Sequence, residues 1–156
     1  KDVVARIMFY RKIHGTMNPE AKSSIMDLKK VADDFFCQRS VNLVWDEAND
    51  ACIEVTNNVG KLLLNLLLAV NGVLIQGGDI TILCIEKNGK PHIMLRGEGK
   101  TIQVDPNIQN FLEKQENPPE VNVKNVQLYL ATNLLKASGM TLDVAHDDDY
   151  FEINVK

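Results

Sequence analysis

Few side chains in this chain are of types that do chemistry, and their spacing decides how much each could do. The three histidines are His14, His92 and His146. A histidine that accepts a group or moves a proton needs an acid nearby to orient its ring and share the charge. Only His146 has one adjacent, in His146-Asp147, and that pair opens the run Asp147-Asp148-Asp149, which reads as a tight turn between strands. His14 precedes Gly15 at a predicted helix end with no neighbouring acid, and His92 follows a hairpin turn on a predicted strand. The three cysteines, Cys37, Cys52 and Cys84, have neither C-x-x-C spacing nor clustered histidines. They read as small buried hydrophobes of a reducing cytoplasm. The pattern contains no Ser/His/Asp arrangement, no metal-ligand cluster, no reactive-thiol context and no carboxylate pair suited to acid–base work. Gly97-Glu98-Gly99 is a lone glycine pair and reads as a turn.

One polar residue stands out because of where it sits. Asn65 lies in the middle of Asn57–Gly78 (NNVGKLLLNLLLAVNGVLIQGG), where Leu62, Leu63, Leu64, Leu66, Leu67, Leu68, Ala69 and Val70 leave no polar face. Such a helix is buried on more than one side, pressed between a sheet and other helices. Lys61, Asn65, Asn71 and Gly72 interrupt the run too often for a membrane span. A buried amide needs partners, so Asn65 is expected to keep a structural hydrogen bond.

The elements around this helix follow from periodicity. Val3, Val4, Ile7, Met8, Tyr10 and Ile13 recur at helical spacing over Lys1–His14, with Gly15 as the C-cap. Asn18-Pro19-Glu20 predicts a helix start, with Ile25, Leu28, Val31, Ala32, Phe35 and Phe36 as the inward stripe up to Cys37. Val41–Trp45 reads as a strand, and Asp46–Thr56 as a polar connection with a brief strand at Cys52-Ile53. After the apolar helix, Asp79–Lys87 alternates as a half-buried strand. Asn88-Gly89 is a two-residue hairpin turn, and Pro91–Arg96 returns antiparallel until Gly97-Glu98-Gly99 breaks it. Lys100–Val104 is extended, Pro106–Glu116 and Asn125–Ser138 are helices, and Met140–Ala145 with Tyr150–Val155 form a last hairpin. This order predicts an α/β two-layer sandwich, a mixed sheet backed by helices.

Bulk properties bound the function. A chain of 156 residues, 45% hydrophobic and 24% charged, is long enough for one domain with a real core. Its net charge of −4 is dispersed, without the clustered Lys/Arg surface of a nucleic-acid binder. No targeting segment is visible, so a cytoplasmic location is expected, with no membrane partner. The chain starts at Lys1 inside a helical pattern, which suggests a piece of a longer protein.

The element order resembles the Bergerat-type ATP-binding domain of sensor histidine kinases. Asn65-Leu66-Leu67 matches the first half of the asparagine box. Ile93–Gly99 matches the strand running into D-x-G-x-G, and Val126–Val144, ending LLKASGMTLDV, matches the last helix, glycine cap and strand. The departures carry more information. The second asparagine of the box, a magnesium ligand, is Ala69 here, and a methyl group offers no hard oxygen. The aspartate that receives the adenine amino group is Leu95 here. The glycine-rich phosphate cradle is replaced by Pro118-Pro119-Glu120-Val121-Asn122-Val123, whose prolines lack N–H donors. No cofactor, metal or nucleotide is therefore expected.

A degenerate kinase-like domain joined to the tail of a helical hairpin is similar to the ChpT family of bacterial histidine phosphotransferases. Met8-Phe9-Tyr10-Arg11-Lys12-Ile13-His14-Gly15 resembles that family's F-x-R-x-x-x-G. Trp45, Leu62–Ala69, Gly77-Gly78 and Val126-Gln127-x-Tyr129 also fit it. The resemblance implies that residues 1–15 are the tail of a dimerisation hairpin and residues 16–156 the degenerate ATPase-like domain. It implies phosphoryl transfer between response-regulator receiver domains by a homodimer held through upstream helices. The phospho-accepting histidine is then expected upstream of Lys1, with no catalytic residue in this chain and no ATPase or kinase activity. Arg11 is the expected receiver contact. Two other readings stand beside it: a divergent ATP-binding kinase domain, and a non-catalytic receiver-binding module.

Overall fold

The structure, a computed structural model, describes residues 2–14, 21–37, 39–46, 54–104, 106, 109–110 and 126–156. It begins with helix α1 (Asp2–His14). The apolar residues that recur along α1 do not face the core: Val3, Val4, Ile7 and Met8 are all more than half exposed. Among the described side chains of α1, Phe9 is the one that enters the core. It is fully buried, stacked on Phe35 at 4.1 Å between ring centroids and edge-on to Phe36 at 6.0 Å.

Those two rings belong to α2 (Ile25–Phe36), where all six residues of the expected stripe are buried. The start of this helix differs from expectation. Asn18-Pro19-Glu20 lies outside the described residues, and Lys22–Ser24 forms strand β1. Ser24 is the true N-cap, its Oγ accepting from the Met26 N–H at 3.1 Å. Ser24 takes that role because its chain is already extended by pairing with β3 (Glu54–Thr56). The brief strand expected at Cys52-Ile53 lies outside the described residues, and β3 is found directly after it.

Strand β2 (Val41–Trp45) runs back along α2, and the Trp45 indole N–H donates to Asp33 Oδ1 at 2.8 Å. Helix α3 (Asn57–Val73) is the apolar helix, capped by Thr56, whose Oγ1 accepts from the Val59 N–H at 3.3 Å. Leu62, Leu63, Leu64, Leu66, Leu67, Val70 and Val73 are buried, while Leu68 and Ala69 are partly covered. The chain leaves α3 through Gly77 (φ +82°) and Gly78 (φ +145°). A side chain there would put Cβ 2.4 Å from the Ser40 carbonyl oxygen or 2.1 Å from that of Glu98. Only glycine accommodates both the backbone angles and the close approach.

The main sheet has five strands in the order β2-β4-β5-β7-β6, namely β4 (Gly78–Lys87), β5 (Lys90–Glu98), β6 (Leu142–His146) and β7 (Tyr150–Val155). β2 pairs parallel with β4, and the other pairs are antiparallel. The register aligns Ile82, Leu95 and Ile153 across three strands, all fully buried. Helices α3 and α4 (Val126–Ser138) pack together, with Ala131 and Leu135 in the core. On the opposite face of the sheet Arg96 bridges Glu98 at 3.3 Å and Glu152 at 3.2 Å and lies 4.1 Å from the Tyr150 ring centroid. The mixed sheet backed by helices is as expected from the sequence.

Two local readings are corrected. β5 continues through Gly97 to Glu98 instead of breaking there, because Gly97 pairs with both Ile80 and Phe151. Cys37 is exposed at the end of α2, its Sγ donating to the Asp34 carbonyl at 3.2 Å, whereas Cys84 is buried. Cys52 lies outside the described residues. Of the helix expected over Pro106–Glu116, only Pro106, Gln109 and Asn110 are described, all three helical. Among the described residues no helix is long and apolar enough to cross a membrane.

Candidate functional site

The site to test is where α3 meets the end of β5, since Asn65, Ala69 and Leu95 come from these elements. Asn65 is 2% exposed, and its Nδ2 donates to the Lys61 carbonyl at 2.8 Å. This is a bond within the helix itself, of the kind a mid-helix amide makes when no ligand holds it. Asn65 Oδ1 is buried with no hydrogen-bond partner among the described residues. One amide oxygen is a hard ligand, but magnesium is held by several oxygens in near-octahedral array. One turn on, Ala69 supplies a methyl group.

Leu95 points into the core of β5 with no exposed surface, between Ile82 and Ile153. Its isobutyl group neither accepts a hydrogen bond nor leaves room for one. Two residues on, a Cβ built on Gly97 would lie 2.8 Å from Val70 Cγ1 and 3.3 Å from Leu74 Cδ1. Gly97 is thus covered by α3 side chains, not by open space for a ligand. Gly99 is equally enclosed: its Cβ would lie 2.6 Å from the Gly77 carbonyl oxygen, and its N–H donates to the Asp149 carbonyl at 3.4 Å. The glycines read as a turn in the sequence serve close packing of β5 on α3 and on the α3–β4 connection. These residues do not fit a magnesium–nucleotide complex. The segment Pro118–Val123 lies outside the described residues.

Among the described residues the histidines do not assemble into a site. His146 ends β6 with its ring stacked on Phe151 at 6.1 Å. The acid beside it is committed elsewhere, since Asp147 Oδ1 accepts from the Asp149 N–H at 2.7 Å and the Tyr150 N–H at 3.1 Å. His92 is partly exposed on β5 opposite Ile85. His14 closes α1, and its side chain lies outside the description. No group of three or more His, Cys, Asp or Glu could hold a metal among the described residues. Arg11 is exposed on α1 and makes no ion pair among the described residues, one turn from the exposed Ile7 and Met8.

The architecture now has context among known proteins. A family model described as "Histidine phosphotransferase C-terminal domain" matches residues 25–150, most of the chain. The chain belongs to that family. As a histidine phosphotransferase C-terminal domain it is 23% identical over 145 residues to protein phosphotransferase ChpT of Brucella abortus (strain 2308), covering 92% of this chain and 68% of the relative. The solved structure of a bacterial phosphotransferase superimposes with a TM-score of 0.85 at 22% identity, over 98% of this chain and 72% of that one. The mycobacterial sensor histidine kinase MprB superimposes with a TM-score of 0.62 at 13% identity, over 87% of this chain and 95% of that one. The histidine phosphotransferase domain thus has the fold of a kinase ATP-binding domain.

Sequence reasoning missed Phe9 as the anchor of α1, although Phe9 stands inside the quoted Met8–Gly15 motif. The signal available was its size, together with two further phenylalanines at Phe35-Phe36. It also assigned Trp45 no partner. The signal there was Asp33, on the predicted polar flank of α2.

Proposed function

We propose that this chain is the receiver-docking domain of a phosphorelay histidine phosphotransferase that uses no ATP. Membership of the histidine phosphotransferase C-terminal domain family carries this reading. It is supported by Ala69 and Leu95 at the positions where a kinase would hold magnesium and adenine. In the parent protein the phosphoryl-accepting histidine is carried on a helix upstream of Lys1. Its ring nitrogen attacks the acyl phosphate of a first receiver domain. The N–P bond forms as the aspartyl P–O bond breaks, and the aspartate leaves as a carboxylate. A second receiver's aspartate then takes the phosphoryl group, so the histidine is regenerated. The donor is already activated, and nucleotide has no place in the cycle.

Residues 1–15 are the end of the hairpin that carries this histidine. The exposed Val3, Val4, Ile7 and Met8 continue an apolar stripe through which upstream helices pair into a homodimer. Arg11, at the end of that stripe, faces the docked receiver, which is acidic around its phosphorylated aspartate. The protein works in the cytoplasm. The experiment is receiver binding to Arg11→Glu by interferometry. Charge reversal at a rim position weakens binding about tenfold, or about 1.4 kcal/mol, mainly through the association rate. Lys29→Glu on α2 has no such effect. Unchanged binding by Arg11→Glu would remove Arg11 from the docking surface.

A further inference from the structure

A half-open cleft of about 470 Å³ lies at the opposite end of α3 from Ala69, away from the degenerate nucleotide position. Its size falls in the roughly 300–1,000 Å³ range of small-molecule sites. Lys22 on β1, Lys90 at the start of β5 and Lys156 after β7 all line it. No side-chain ion pair or hydrogen bond engages any of the three among the described residues. Three like charges around one cleft repel one another. Glu54 and Glu86 also line the cleft, likewise without ion pairs among the described residues, so the lysine side chains exceed the glutamates there by one.

The helix ends tip the balance further. The first turn of α3 has three N–H groups that the helix cannot satisfy. Asn57 N–H donates to the Ala21 carbonyl at 2.8 Å and Val59 N–H to Thr56 Oγ1 at 3.3 Å. The Asn58 N–H has no partner among the described residues, and Asn58 lines the cleft at the positive end of a 17-residue helix. The C-terminus of α4 also borders the cleft, and its negative end is partly muted. Two of its four terminal carbonyls are taken in a Schellman arrangement, Leu135 O by the Met140 N–H at 3.1 Å and Lys136 O by the Gly139 N–H at 3.3 Å. Ser138 borders the cleft, but its Oγ is turned away from solvent and has no hydrogen-bond partner among the described residues.

We propose that this cleft binds a small anionic ligand through a phosphate or carboxylate group. The oxyanion sits on the Asn58 N–H with Lys22, Lys90 and Lys156 around it. This assignment does not depend on the phosphorelay reading.

The test is an amide NMR titration of the whole chain with inorganic phosphate, pyrophosphate and citrate at constant ionic strength. The expected result is saturable shifts confined to Asn58, Lys90, Gly139 and their neighbours. Each of Lys22→Gln, Lys90→Gln and Lys156→Gln lowers the affinity about fivefold, the effect of removing one exposed charge contact. The triple variant loses saturation, and Lys29→Gln, remote from the cleft, does not. All four positions are at the surface, so folding is not at risk. A response to phosphate and pyrophosphate alone assigns a phosphate-bearing ligand, and a response to citrate alone assigns a carboxylate; either supports the site. Shifts that do not saturate, that spread over all lysine-bearing surfaces, or that persist in the triple variant overturn it.

Discussion

Replacing Leu95 by aspartate lowers the stability of this protein by on the order of 5 kcal/mol and confers no nucleotide binding. In the histidine kinases that the sequence resembles, an aspartate at the position we read as equivalent meets the adenine. Leu95 meets Ile82 and Ile153 across the centre of the sheet instead, with no surface left to solvent. Restoring the carboxylate removes a buried isobutyl group and leaves an acid without partners in its place. The loss approaches the whole stability of an ordinary domain, about 5–15 kcal/mol. Urea denaturation monitored by circular dichroism measures it. A Leu95→Asp variant of near wild-type stability would show that the position still opens onto a polar pocket, and the account of a filled site would be wrong. Leu95→Met, close in volume, separates the two effects and changes stability by less than about 1.5 kcal/mol.

The second large effect is at Phe9. Phe9→Ala costs about 3–5 kcal/mol, because the ring is fully buried and stacks face to face on Phe35. The consequence is local as well as global. Among the described side chains of α1, Phe9 is the large hydrophobe that enters the core, so its loss frees the helix from α2. Amide exchange in residues 2–14 then accelerates well beyond that in β4 and β5. Val4→Ala, at a side chain 60% exposed, stays within about 0.5 kcal/mol of wild type. Equal losses from the two substitutions would show that α1 is not held by this aromatic contact. The orientation of α1 matters because Arg11 lies one half-turn further along it.

What the sequence makes legible follows the strength of each local signal. Six apolar residues at helical spacing in α2 all reach the core, since one face of that helix had no alternative. The long alternating strands on either side of Asn88-Gly89 pair as read, because the turn sets their register. The three-residue strands β1 and β3 were not legible. Neither is long enough to alternate, and each exists through pairing with a segment some thirty positions away. The same non-local pairing moved the start of α2 to Ser24. Gly97 misled for a related reason: a glycine inside a strand reads as a break, yet here it admits Val70 and Leu74 of the covering helix.

The candidate site was legible mainly through what it lacks. Ala69 and Leu95 are chemically decisive wherever they sit, because neither a methyl nor an isobutyl group does the work of an amide or a carboxylate. Asn65 was read correctly as a structural amide, bonded within its own helix at Lys61. The cleft at the start of α3 was invisible, since Lys22, Lys90 and Lys156 are widely separated in the chain. Only the fold gathers them.

The central claim is that this kinase-like fold no longer handles nucleotide. Isothermal titration of the triple Lys22→Gln, Lys90→Gln, Lys156→Gln variant, in which the anion cleft is disabled, with ATP and magnesium tests it most directly. The account predicts no saturable heat at nucleotide concentrations up to about 1 mM, the level at which binding energy falls to roughly 4 kcal/mol. Saturable, magnesium-dependent binding that survives the Lys22, Lys90 and Lys156 substitutions would contradict it.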